Sequence, residues 1–133
     1  MNPHDYLIRV RHLDELIKAK CAERDQLMVL ATSVSANMDG MPHASGKSDK
    51  VGNIAVKLAD LENEINEMID RYVNLKRDVV TKLEALPHQE YLVLHKYYIQ
   101  GMTLAAIAND MYYHRVTVSK IKARAMERLK QTT

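Results

Sequence analysis

Apolar residues recur along this chain at helical spacing in five stretches. From Asp5 to Ala31 they fall at Tyr6, Val10, Leu13, Ile17, Cys21, Met28 and Ala31, with Arg24 interrupting the stripe, and Asn2-Pro3 ahead of it suits a helix start. A second series, Ile54, Leu58, Leu61, Ile65, Met68, Tyr72, Leu75 and Val79, alternates steps of four and three, and Leu83 and Leu86 prolong it. That is a heptad seam, and a seam needs a partner helix to cover it. Pro87 closes this helix, because the residue before a proline is pushed out of the helical region. A third helix is expected from His88 to Gln100, carrying Tyr91, Leu92, Leu94, His95, Tyr98 and Ile99, with Gly101 placed to end it. Leu104, Ile107, Ala108 and Met111 mark a fourth, for which Thr103 is the N-cap; Val118, Ile121, Ala125 and Leu129 mark a fifth.

Between the first two helices the chain reads TSVSANMDGMPHASGKSDKVGN, where neither helical nor strand period survives. It is expected to be a flexible loop over about 33–52. The fold class that follows is all-α. Residues 1–86 form a long antiparallel, coiled-coil-like helical hairpin, and residues 87–133 form a three-helix unit ending in a helix-turn-helix, Thr103 to Leu129.

The outward face of the last helix carries the candidate chemistry. With Val118 as the buried centre and about 100° per residue, Val116, Ser119, Lys120, Ala123 and Glu127 point outward, while Thr117 and Arg124 lie on one flank. Small and polar side chains at a helix start, followed by cations, suit a helix entering a major groove while its later turns meet phosphates. A basic helical hairpin with a merely solvated face has the same composition. Charge distribution weighs against that plainer reading. The net charge of +2 divides into 12 Lys or Arg against 14 acids over residues 1–86, and seven against three over 87–133. The cationic excess sits on the unit with the groove-reading pattern. Five of the seven Tyr also lie between 91 and 113.

Other chemistries find little purchase. Gly40 to Ser48, GMPHASGKS, places five residues between its glycines where a phosphate-cradling loop has four, and no strand precedes it. Its glycines and serines fit linker composition better. The six His include no i, i+4 pair: His88 and His95 are seven apart, His4 and His12 eight, and His43 and His114 stand alone. The lone Cys21 lies in a helix and has no internal disulfide partner, and Glu62 and Glu64 lie on different sides of theirs. No catalytic constellation, metal site or cofactor is therefore expected, and the protein is read as a non-enzyme. The longest apolar run, Leu27 to Ala31, is far below the ~20 residues that span a bilayer, and the N-terminus has no signal-type apolar region. No membrane partner and a cytoplasmic location are expected.

The ordered set Q-G-M-T-L-A-A-I-A-N-D-M, then H-R-V-T-V-S-K-I and A-x-x-x-L, resembles region 4 of bacterial sigma factors over roughly residues 88–130. With aromatic residues in the turn and a long helical part before it, the chain also resembles small prophage transcriptional regulators of the ArpU/RinA-like kind. Two positions depart from the sigma-like pattern. Tyr112 stands where the turn usually has Gly, and Ala106 where an acidic residue often completes the capping box. The resemblance implies sequence-specific binding of double-stranded DNA and control of transcription, encoded by a phage or prophage. It places Thr103, His114, Arg115, Val116, Thr117, Ser119, Lys120, Lys122 and Arg124 at the DNA. Arg115 would read guanine, Thr103 would meet phosphate at a helix N-terminus, and Lys122 and Arg124 would be phosphate contacts. A homodimer through the N-terminal helices is expected. Two alternatives stay open: an adaptor gripping RNA polymerase or a sigma factor, for which Tyr112 or Tyr113 would be the apolar anchor, and a small terminase-type DNA-packaging protein.

Overall fold

The computed structural model describes the backbone of residues 2–38 and 45–132, and the side chains of these except 34–38 and 45–50. The described residues form five α-helices and one π-helical segment, with no strand. These are α1 (Pro3–Met38), α2 (Ser45–Leu83), α3 (His88–Leu94), the π-helix His95–Ile99, α4 (Leu104–Met111) and α5 (Arg115–Thr132).

Both long helices run into the stretch whose composition suggested a loop. α1 continues to Met38 and α2 starts at Ser45, so only residues 39–44 of the expected 33–52 loop remain between them, and these lie outside the described residues. The polar side chains that signal a loop can also be satisfied within a helix. The Thr32 hydroxyl donates to the carbonyl of Met28, one turn back, at 2.9 Å, which removes its incentive to compete with the helical backbone. Gly52 is a helix-interior glycine with open space where a Cβ would stand.

The chain divides into two compact units. One comprises Met1–Asp14 with Tyr72–Thr133, and the other Glu15–Arg71. This differs from the division after residue 86 expected from the chain order. In the second unit the heptad residues Ile54, Leu61, Ile65 and Met68 are buried, and Lys20 of α1 meets Glu64 of α2 at 3.3 Å. Lys20 lies 18 residues before the end of α1 and Glu64 19 after the start of α2, so the two helices run antiparallel as a hairpin. Beyond Arg24 the covered stripe of α1 passes through Leu27, while Met28, an expected core position, is half exposed at 49%.

The first unit has two apolar clusters. Leu7 and Val10 of α1, Val79 and Leu83 of α2, Leu94, Tyr98, Ala125 and Leu129 form one. Val93, Ile107, Ala108, Val118 and Ile121 form the other. The boundary moves because the first turns of α1 and the last turns of α2 complete the core under α5. Leu86, expected to extend the seam, instead follows the helix end: α2 stops at Leu83 and the amide of Leu86 bonds the Leu83 carbonyl at 3.0 Å just before Pro87.

Candidate nucleic-acid interface

α4 and α5 form the helix-turn-helix, and each junction has an identifiable cause. The Thr103 hydroxyl accepts a hydrogen bond from the Ala106 amide at 3.1 Å, capping α4 with one of the bonds a full capping box would supply. Gly101, at φ 72°, supplies the left-handed residue that lets the chain leave the π-helix. At the far end of α4, Tyr112 adopts φ 59°, ψ 40°, the left-handed conformation that a glycine would take without cost. The turn geometry is thus the usual one, imposed on a bulky residue. Tyr112 is 95% exposed, whereas its neighbour Tyr113 is half-buried and its hydroxyl accepts from Gln89 Nε2 at 2.7 Å. The His114 carbonyl accepts the Val118 amide at 3.1 Å and opens α5.

The four core positions expected of α5, Val118, Ile121, Ala125 and Leu129, are all buried. Their burial turns the rest of the helix outward: Arg115, Val116, Thr117, Ser119, Lys120 and Arg124 are exposed, as are Thr103 and His114. The departure among the nine expected positions is Lys122, which is half-buried. Its ammonium sits 4.3 Å from the centre of the Tyr97 ring and 5.7 Å from that of Tyr98.

Two ion pairs fix this pair of helices to the rest of the unit. Arg128 Nε donates to the buried Glu90 carboxylate at 3.0 Å, tying α5 to α3. Lys96 meets Asp110 at 2.7 Å, tying the π-helix to α4. The single helix expected from 88 to 100 is interrupted at His95, where the Gln100 amide reaches back five residues to the His95 carbonyl at 3.0 Å. The wider turn seats Tyr97 and Tyr98 edge to face, 4.8 Å apart. Tyr98 is buried, hydrogen-bonded to His4 Nδ1 at 2.8 Å, and its phenol is pushed up to about 12, by burial first and then by Tyr97. Burial, then the charges of Lys76 and Lys96, hold the His95 imidazole below its usual value.

These parts share one arrangement, a capped helix, a left-handed corner and a second helix whose outer face is polar and cationic. The protein-family comparison matches the Sigma-70, region 4 family over residues 83–131. Residues 83–131 are a sigma-70 region 4 domain. No curated protein and no solved structure matches the chain. Sigma-70 region 4 domains bind DNA and RNA polymerase, so the module is a DNA-binding one. Leu7, Val10 and Val79 of the core, and Arg11, lie outside its matched span.

Sequence reasoning missed Arg11, whose guanidinium lies 4.7 Å from the centre of the Tyr97 ring. Its signal was diluted by averaging charge over residues 1–86. By compact unit the division is sharper: 12 Lys or Arg against seven acids in the unit that holds α5, and seven against ten in the other. Among the described residues no helix is long and apolar enough to cross a membrane.

Proposed function

We propose that the protein is a sequence-specific DNA-binding regulator of transcription, with α5 as the recognition helix. The observation that carries this reading is the exposed run Arg115, Val116, Thr117, Ser119, Lys120 and Arg124 on the outer face of α5 in a sigma-70 region 4 domain. Arg115 donates to guanine O6 and N7, worth about 1–3 kcal/mol of discrimination, and Ser119 and Lys120 face the bases beside it. Val116, 64% exposed, offers an apolar surface to a thymine methyl. Thr103, His114, Lys122 and Arg124 meet the phosphate backbone. The resemblance to ArpU/RinA-like regulators favours a phage or prophage setting, and with it a cytoplasmic site of action.

The homodimer belongs to the same proposal. Six of the exposed large apolar residues, Leu16, Met28, Val29, Leu30, Val56 and Ile69, belong to the Glu15–Arg71 unit, a composition suited to pairing with a second copy.

Binding-site selection and salt titration test the DNA assignment together. Arg115→Ala is expected to relax sequence preference. Arg124→Ala is expected to weaken all sequences alike and lower the salt slope by roughly one. Unchanged preference in Arg115→Ala would sink the groove assignment. A second reading, in which the domain serves as an adaptor on RNA polymerase, is favoured by the exposed Tyr112, and absence of DNA binding at low salt would move the function there.

A further inference from the structure

Arg115, Ser119 and Lys122 are spaced i, i+4, i+7 and form one stripe down a flank of α5. Arg124 and Thr117 occupy the other flank. The Arg115 stripe ends on Tyr97, because Lys122 lies over that ring, and Arg11 from the first turns of α1 lies over the same ring. Two cations within 5 Å of one ring centre are held within about one Debye length of each other, ~10 Å at 0.1 M salt. The electron-rich ring lowers the cost of that approach.

A helix in a major groove meets phosphates on both sides. The groove is about 12 Å wide and a helix with its side chains about 10–12 Å across, so the two backbones border its two flanks. Arg124 supplies a cation on one flank. On the other, Lys122 is partly drawn onto Tyr97, and Arg11 stands beside it.

We propose that the DNA interface extends beyond the sigma-70 region 4 domain onto α1, and that Arg11 and Lys122, gathered on Tyr97, jointly bind the phosphate backbone on the Arg115 side of the recognition helix. The proposal rests on the DNA-binding reading above. Its ligand class is the phosphodiester backbone, so the contact is independent of sequence. α1 is thus a further element of the reader, and Tyr97 is the positioning residue that fixes where its cation stands.

The test uses the full chain and a mixed-sequence duplex, with affinity followed against salt concentration. Arg11→Gln is expected to lower the slope of log K against log salt by about one, as loss of one phosphate contact does, and to weaken binding several-fold at low salt. Arg11→Lys should keep the wild-type slope. Should Arg11→Gln fail to fold, Arg11→Met, which keeps an apolar stem on the ring, reads the same quantity. A merely structural Arg11 would alter the melting temperature and leave the slope unchanged. A wild-type slope in Arg11→Gln or Arg11→Met, with a lowered slope in Arg124→Gln, overturns the proposal and leaves the recognition-helix reading standing. If the wild-type chain binds no duplex at low salt, both fall.

Discussion

Tyr112 is the residue at which local preference and global fold disagree most. It holds the left-handed corner of the helix-turn-helix with a side chain that is 95% exposed, so burial does little to offset the cost of the conformation. Asn tolerates that conformation better without glycine's entropy penalty. Tyr112→Asn is expected to raise stability by about 0.5–1 kcal/mol in urea unfolding, and Tyr112→Val, β-branched, to lower it. If Tyr112→Asn also lost polymerase binding while keeping DNA affinity, the exposed ring would be the adaptor anchor. His95 adds a pH dependence of definite sign. Its folded-state value lies below the usual 6.5, so the fold favours the neutral imidazole. That contribution is complete above 6.5 and is lost as pH falls from there through the folded-state value. Urea midpoints on the two sides of 6.5 should therefore differ less in His95→Gln than in the wild type.

At the scale of elements, the helices written in period were readable. Every fixed apolar step of α5 and most of the α2 seam became buried because a stripe repeated at helical spacing has one way to leave water. Thr103 was readable for a similar reason, since a hydroxyl at a helix start has a nearby amide to satisfy. Replacing Thr103 by Ala should cost about 1 kcal/mol of stability in urea unfolding of the free protein, and the DNA-bound protein should lose more, because the proposed phosphate contact goes with the cap. The π-helix was not readable. A shift from i+4 to i+5 bonding from His95 onward carries no residue signature, yet it seats both Tyr97 and Tyr98. The ends of α1 and α2 are not legible in the composition, because Ser, Thr and Gly mark loops only on average and Thr32 satisfies its hydroxyl inside the helix. Leu7 shares the first turns of α1 with Tyr6, and the stripe alone does not say which of them is buried; the place of Arg11 depends on Tyr97, nearly ninety positions away in sequence, which no local pattern encodes.

For the whole molecule, the matched family segment and the compact unit differ in extent. Leu7 and Val10 are essentially buried against Val79, Leu83, Leu94 and Leu129, so residues 83–131 alone would expose one side of that core. Leu7→Ala is expected to cost about 2–5 kcal/mol, and its effect should appear in amide exchange of α5 as well as of α1. The proposed self-association would use the other unit. Val29→Glu or Ile69→Glu should shift sedimentation toward monomer while leaving the recognition helix folded, and an unchanged sedimentation coefficient would remove the dimer.

The discontinuity of the unit that holds α5 bears on the route by which the protein folds. Its two stretches are separated by residues 15–71, and a loop of that length must close before Leu7 and Val10 can reach Val79 and Leu83. Closure costs entropy that grows as about (3/2)RT ln n for n free residues. Formation of the antiparallel hairpin within residues 15–71 replaces most of that free chain with a short effective path between its ends. The heptad seam thus acts as a kinetic clamp: weakening it at Leu61 or Ile65 should slow acquisition of the DNA-reading core, although neither residue belongs to that core.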